Sequence, residues 1–255
     1  MRKIYSISLL ILMISTALYS QQYVRYTQEI DTPTAYTIPM ASYSFSMLAY
    51  DEGGLEFKVA VGLHDKFMLG VSFDSEHAIG KDTWQPNVPG VVAKVKFTDG
   101  SENFPIAIAL GYDSFYLGPS GKAENNVSED GKTSNYDSTK YNRMIYGPYF
   151  VITKPIYLFD EEQHTSLGFR LPAQPDFVPR DSSYFFSFDI PVGQYFTFKS
   201  ELERVYWNFS RNSEWLVNAG VRYNIFTKVG VELNLIMQYG IMPNRVVRVE
   251  YTDAF

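Results

Sequence analysis

Apolar and polar residues alternate along most of the chain after its first forty positions. Between 229 and 239 every second residue from Val229 to Tyr239 is apolar, and Gly230, Glu232 and Asn234 fall between them. A period of two over this length predicts strands with one apolar face. Several segments run about ten residues, the length that a tilted strand needs to cross a bilayer. The predicted strands lie near 41–50, 54–63, 67–75, 90–98, 104–116, 144–156, 165–171, 183–190, 195–205, 214–224, 228–239 and 245–255.

The sixth and seventh of these twelve strands are the weakest predictions. Pro148 interrupts the segment 144–156, and proline inside a strand indicates an edge or a bulge. The segment 165–171 is short. Ten strands are therefore the alternative to twelve.

The connections between the strands alternate in length. If the N-terminus starts in the periplasm, the three longest connections, 75–89, 117–143 and 172–182, all lie on the outer side. Outer-membrane barrels have short periplasmic turns and longer outer loops. The pattern predicts an all-β fold, a single antiparallel transmembrane β-barrel over 41–255, with a mobile outer loop at 117–143.

The soluble alternative is a β-sandwich or a lipocalin-like barrel, which would turn the apolar face inward. Glycine, asparagine and charged residues fill the second face of the strands, which favours a membrane barrel. The 16% aromatic content with a mean hydropathy of -0.16 agrees with strands that face lipid on one side.

The N-terminal region predicts export. Arg2 and Lys3 precede a short apolar run at 7–14, so residues 1–20 are predicted to be a cleaved signal peptide. Residues 21–40 would then form a periplasmic N-terminal segment. The chain has no cysteine, which excludes disulfides and thiolate metal sites. The net charge of -6 argues against nucleic acid as a partner.

Charged residues on the predicted inner face nearly balance, and the two signs are interleaved around the barrel. The predicted lumen-facing cations are Lys58, Lys94, Lys96, Lys154, Arg170, Lys199, Arg222 and Arg248. The predicted lumen-facing anions are Glu56, Asp74, Asp113, Asp189, Glu201, Glu203, Glu232 and Glu250. A strongly selective channel has one sign in excess, so the balance favours a plugged or weakly selective barrel.

Candidate catalytic chemistry is sparse. His64, His77 and His164 fall in predicted turns or links, without metal-ligand spacing and without a serine nucleophile on a shared strand face. We interpret them as solvated loop histidines. The sequence predicts no catalytic residue, no metal ion and no cofactor.

The last strand carries a candidate assembly signal. Val247, Val249, Tyr251 and Phe255 fall on one face, with Asp253 where another apolar residue is usual. A final strand that ends on an aromatic residue resembles the closing strand of bacterial outer-membrane barrels, which the assembly machinery recognises. We therefore expect a bacterial outer-membrane location, with membrane lipid and the barrel-assembly machinery as partners.

Motifs between Asp31 and Ser114 resemble a known family. The matching stretches are Asp31-Thr32-Pro33-Thr34-Ala35, the run from Val61 to Ser72, Ile79-Gly80, Pro89-Gly90-Val91, Lys94-Val95-Lys96-Phe97 and the run from Ala107 to Ser114. They resemble the N-terminal barrel portion of YjbH-like outer-membrane proteins, which are associated with exopolysaccharide production, and their single-barrel relatives. The resemblance covers about a third of the chain, and its motifs are structural, so it assigns no functional residue.

The sequence thus predicts a non-enzymatic envelope protein. The leading prediction is a narrow passage for small solutes or an accessory to exopolysaccharide export, with polysaccharide as a further partner. The alternative is a surface adhesin or binding module that acts through its outer loops.

Overall fold

The chain folds into one antiparallel sheet that closes on itself as a barrel. The computed structural model describes residues 25–255 except 51–52, 82, 87–88, 102–103, 114–144, 159–160, 175–178, 207–212, 226–227 and 239–242. The strands are β1 Ser42–Tyr50, β2 Gly54–His64, β3 Phe67–Glu76, β4 Gln85–Pro86, β5 Gly90–Ser101, β6 Phe104–Asp113, β7 Ile145–Leu158, β8 Glu161–Gln174, β9 Ser183–Val192, β10 Phe196–Tyr206, β11 Ser213–Ile225, β12 Val229–Gln238 and β13 Asn244–Ala254. Within these ranges no helix is long and apolar enough to span a membrane.

The first and last strands close the ring. β1 pairs antiparallel with β13, from Ser42 opposite Ala254 to Ala49 opposite Val247. The two-residue β4 pairs with the end of β3, whose other neighbours are β2 and β5. Twelve strands therefore form the wall, which confirms the predicted fold and excludes the ten-strand alternative.

The two weakly predicted strands are among the longest. β7 and β8 each have 14 residues, so most of residues 157–164, which lie between the predicted strands 144–156 and 165–171, are strand. Their pairing shifts register between Tyr146 and Tyr149. Pro148 lies within this irregularity and cannot donate a hydrogen bond to the neighbouring strand. The register shift is therefore the bulge that the sequence predicts at this proline.

The two faces of the wall differ in chemistry. In β9 buried and exposed residues alternate at every position. In β12 Leu233 is 63% exposed on the outer face, whereas Glu232 on the inner face is fully buried. An apolar exterior around a charged interior suits lipid and is the reverse of a soluble barrel. The fold therefore confirms the predicted outer-membrane location.

The C-terminal strand ends in an aromatic patch at one rim. Tyr43 lies 5.3 Å from the Phe255 ring and 6.0 Å from the Tyr251 ring, measured between centroids. The Asp253 carboxylate accepts hydrogen bonds from the Tyr251 hydroxyl at 2.6 Å and from Lys228 at 2.8 Å. Asp253 thus has local partners at the rim. The assembly role of Tyr251 and Phe255 stays a prediction, and the signal peptide 1–20 and the loop 117–143 lie outside the described residues.

Candidate functional site in the barrel lumen

Residues 25–38 of the N-terminal region lie inside the barrel. Side chains of β2, β5, β7, β8, β10, β11 and β13 all hydrogen-bond to this segment. Because these strands stand on different sides of a closed ring, the segment must occupy the lumen. For residues 25–38 the structure thus differs from the predicted periplasmic placement of 21–40, since this part finds partners for its polar groups inside the wall.

The segment forms a hairpin. Glu29 N donates to Thr32 O at 2.9 Å, and Thr34 N donates to Thr27 O at 3.2 Å. Pro33, which bridges to Gln28, has a fixed φ that suits the turn. We call residues 25–32, which include the turn, the first arm of the hairpin, and residues 33–38 the second arm.

Both ends of the hairpin lie at the same rim. Arg25 pairs with Glu162 near the start of β8 at 3.1 Å, and Met40 N donates to the Asp65 carboxylate between β2 and β3 at 3.0 Å. These are the turns that the loop lengths predict to be periplasmic. The hairpin enters from the rim that carries them, and its turn reaches the level of Glu201, halfway along β10.

The first arm is held mainly through its main chain. Cations of the wall donate hydrogen bonds to its carbonyl oxygens. Lys94 donates to Thr27 O at 2.7 Å, and Lys199 donates to Glu29 O at 3.2 Å. Arg248 donates to Glu29 O at 3.1 Å and to Ile30 O at 2.5 Å, and Arg170 donates to Asp31 O. In the opposite sense, the Glu201 carboxylate accepts hydrogen bonds from Asp31 N and Thr32 N, both at 2.8 Å. Charge-assisted bonds of this kind are stronger than neutral ones, and they replace the water that these peptide groups would otherwise need.

One aromatic side chain of the first arm adds cation–π contacts. The Tyr26 ring centroid lies 4.2 Å from Lys199 Nζ and 4.4 Å from the Arg222 guanidinium carbon. The Tyr26 hydroxyl lies 3.2 Å from the Thr197 hydroxyl and accepts a hydrogen bond from Asn224 at 3.0 Å. Tyr26 thus fixes the start of the arm against β10 and β11.

The second arm packs through apolar side chains. Ala35 and Tyr36 belong to a buried cluster with residues of β6, β7 and β9, which are Ala107, Ala109, Tyr149, Val151 and Phe185. Ile38 packs with Ala60, Met68 and Val92 of β2, β3 and β5. A Cβ at Gly62 would lie 2.0 Å from the Pro39 carbonyl oxygen, so only glycine permits this close approach. The second arm therefore covers an apolar part of the inner wall.

Polar contacts also fix the second arm. Ala35 N donates to the Thr153 hydroxyl at 2.8 Å. Lys94 donates to Thr34 O at 2.9 Å and to Tyr36 O at 3.0 Å, so this lysine joins both arms. The Thr37 hydroxyl donates to Asp65 O at 2.7 Å.

Two ionisable side chains of the hairpin have raised pKa values. Burial raises the pKa of Glu29 to about 8, and the nearby Asp189 carboxylate adds to the rise against the opposing effect of Lys199. Burial likewise raises the pKa of the Tyr36 phenol well above its usual range. Both shifts favour the neutral forms of these side chains.

Charged side chains under the first arm form one network. Glu232 accepts from Lys199 at 2.9 Å, Arg222 at 2.8 Å and Arg248 at 3.1 Å. Arg222 and Arg248 stand directly opposite Glu232 on the two neighbouring strands. Arg222 also reaches Glu250 at 2.6 Å, across Gly230, where a Cβ would lie 2.1 Å from the guanidinium.

The other lumen-facing charges predicted from the sequence lie on the inner face in smaller groups. Lys58 pairs with Asp113 at 3.0 Å and Glu56 at 3.6 Å, and Arg170 pairs with Glu203 at 3.6 Å. Asp74 accepts from the Tyr50 hydroxyl at 2.6 Å, and Lys96 pairs with Asp99 at 2.7 Å. Lys154 differs from the prediction: it is exposed on the outer face of β7, between the buried Thr153 and Pro155.

His164 is buried, contrary to the solvated loop histidine that was predicted. It lies in β8 and is 1% exposed. Its Nε2 lies 3.0 Å from Glu162 and its Nδ1 lies 3.3 Å from Asp189, while its ring packs edge-on against Tyr36 with 4.9 Å between centroids. The histidine therefore supports the hairpin near the rim. No group of three or more His, Asp or Glu side chains in the described part of the chain could hold a metal ion.

A cavity lies beside the first arm, on the side away from β10. Its volume is about 50 Å³. Thr27, Gln28 and Asp31 of the first arm form one side. The wall residues around it include Ser44, Ser46, Lys58, Asp113, Tyr149 and Glu250. The hairpin therefore leaves part of the lumen unfilled.

The fold is shared with solved outer-membrane channels. A KdgM porin has a TM-score of 0.51 and 13% identity, and the match covers 84% of this chain and 99% of that one. A second structure, described as KdgM porin in complex with disordered oligogalacturonate, has a TM-score of 0.51 and 12% identity, with the same coverage. An outer-membrane channel from Pseudomonas putida F1 has a TM-score of 0.50 and 11% identity over 89% of this chain and 100% of that one.

At these identities the likeness shows the fold. No family model matches the chain, and no curated protein matches it. The specific YjbH-like resemblance thus stays a prediction, whereas the broader assignment to porin-like outer-membrane barrels is supported. The similar structures are porins and channels rather than enzymes.

Proposed function

We propose that the protein is a non-enzymatic outer-membrane passage for small hydrophilic solutes, closed in this structure by its N-terminal hairpin. The observation that carries the proposal is how the first arm is held. Its carbonyl and amide groups bind Lys94, Arg170, Lys199, Glu201 and Arg248, and water or a solute can replace each of these hydrogen bonds. The arm thus closes a polar lumen instead of completing an apolar core.

Acidic oligosaccharides are the first solute class to test. The wall donors that hold the first arm bind oxygen acceptors, and carboxylates and hydroxyl groups of a sugar chain supply such oxygens. One porin of this fold is described in complex with oligogalacturonate. An accessory role in exopolysaccharide export would involve the same class of substrate. The adhesin alternative depends on outer loops that include 117–143, outside the described residues.

Deletion of residues 25–38 is expected to open the barrel. In planar bilayers the complete protein should be mostly closed, and the deletion variant should give stable conductance steps. Because the deletion could impair folding, the double variant Lys94→Met and Arg248→Met supplies a second test in the complete chain. It removes donors to five hairpin carbonyls, and Glu232 keeps Lys199 and Arg222.

The double variant should open more often than the unmodified protein. Liposome swelling with a trigalacturonate and with maltotriose would then compare an acidic with a neutral sugar of equal length. A deletion variant that migrates as a folded barrel on an unheated gel but gives no conductance would contradict the proposed passage.

A further inference from the structure

The two arms of the hairpin are bound by different kinds of contact. The second arm belongs to two apolar clusters, which include residues of six strands, β2, β3, β5, β6, β7 and β9. The first arm belongs to neither cluster, although Tyr26 and Ile30 are buried. Entry of water destabilises an apolar cluster, whereas the hydrogen bonds of the first arm can be exchanged for bonds to water or solute.

The surroundings of the first arm also differ from those of the second. On one side it faces the charged network of β10 to β13, and on the other it borders the cavity, which Pro33 and Ile38 of the second arm also line. The first arm therefore lies between the charged network and the cavity. Movement of the first arm alone would join them without disturbing the apolar clusters.

Few contacts would hold the arms together during such a movement. Among the described residues, the direct inter-arm contacts are the bridge between Gln28 and Pro33, Thr34 N to Thr27 O at 3.2 Å, the Thr34 hydroxyl to Tyr26 O, and the cation–π contact of Arg25 with Tyr36 at 5.0 Å. Lys94 also joins the arms through carbonyl oxygens of both. The second arm keeps its own attachment to Thr153 and Asp65.

We infer that the first arm is the moving gate and the second arm a fixed part of the lumen, so that solutes pass along the wall of β10 to β13 through the space that the first arm vacates. This inference rests on the proposed passage and assigns its route. The path is lined by Lys199, Glu201, Arg222 and Arg248, together with the cavity side chains Lys58 and Asp113. When the arm leaves, Lys199, Arg170 and Arg248 lose carbonyl acceptors and Glu201 loses amide donors. The path therefore offers mostly hydrogen-bond donors, which suits solutes rich in oxygen acceptors.

Cysteine accessibility tests the assignment of the gate. Ile30 in the first arm and Ala35 in the second are both fully buried, and the chain has no native cysteine. The folded single variants Ile30→Cys and Ala35→Cys would be treated with a small, charged methanethiosulfonate reagent. The population of a locally open state falls exponentially as its free-energy cost rises, and the first arm should cost less to open than the second. Ile30→Cys should therefore react roughly tenfold or more faster than Ala35→Cys. The two variants should react alike after denaturation.

A second readout ties the label to the passage. The attached group cannot return to the closed site of Ile30, so labelled Ile30→Cys should stay conductive, and a reducing agent should restore closure. Equal reaction rates, a faster Ala35→Cys, or no reaction at either position would each overturn the inference. If the deletion of residues 25–38 conducts but this labelling pattern fails, the passage stands and its assigned route is wrong. If the deletion does not conduct, the proposed function itself fails.

Discussion

Replacement of Glu232 by glutamine is expected to destabilise the folded barrel by about 3–5 kcal/mol, because it leaves buried cations without their shared carboxylate. Glu232 accepts from Lys199, Arg222 and Arg248, which come from three different strands. Arg222 keeps Glu250, but Lys199 and Arg248 would depend mainly on the hairpin carbonyls. The measurement is the urea midpoint of the folded, fast-migrating band on unheated gels.

A matched control makes the same chemical change at the rim. Asp253→Asn also converts a carboxylate to an amide, but its partner Lys228 is 54% exposed and can turn to water. Exposed ion pairs contribute little to stability, so the urea midpoint of this variant should stay close to that of the unmodified protein. The addition of Arg248→Gln to Glu232→Gln should recover part of the loss, because Arg248 is one of the cations whose ion-pair partner is Glu232. Equal urea midpoints for Glu232→Gln and Asp253→Asn would show that the network does not stabilise the barrel.

Local alternation is enough to predict most of the wall. In β12, Leu233 and Glu232 differ by one position and face lipid and lumen respectively, as their chemistry requires. Apolar and polar residues alternate in this way along any strand whose outward residues face lipid and whose inward residues are charged. For that reason the strand count and the faces of β10 to β13 follow from the sequence alone.

Alternation fails where the second arm covers the wall. In β7 the inward Val151 and the outward Ile152 are both apolar, since the inner residue packs against Ala35 and Tyr36 instead of facing water. This loss of contrast explains why the segment near 144–171 was the weakest strand prediction. It also explains the wrong assignments of Lys154 and His164, which lie in the same part of the barrel.

The hairpin itself could not be located from local pattern. Its contacts join residues far apart in sequence, such as Ala35 with Thr153 and Arg248 with Glu29. Most of them also involve peptide groups, which every residue carries, so no side-chain motif marks the segment. The balance of lumen charges did indicate a plugged or weakly selective barrel, and the turn-forming Asp31-Thr32-Pro33 was visible. Neither feature identified which segment would fill the lumen.

Replacement of Leu233 by arginine is expected to cost about 2–4 kcal/mol and to reduce the yield of folded barrel, because it places a charge on the lipid face near mid-bilayer. Leu233 is 63% exposed at the middle of β12, and its cross-strand neighbours are Val221 and Val247. The control is Ser46→Arg, on the inner face at the middle of β1, where the new side chain borders the cavity and stands opposite Glu250. A hydrated lumen with a nearby carboxylate should accept this arginine with little loss of the fast-migrating band. If Ser46→Arg were the damaging change and Leu233→Arg harmless, the apolar exterior would not face lipid, and the protein would be a soluble barrel.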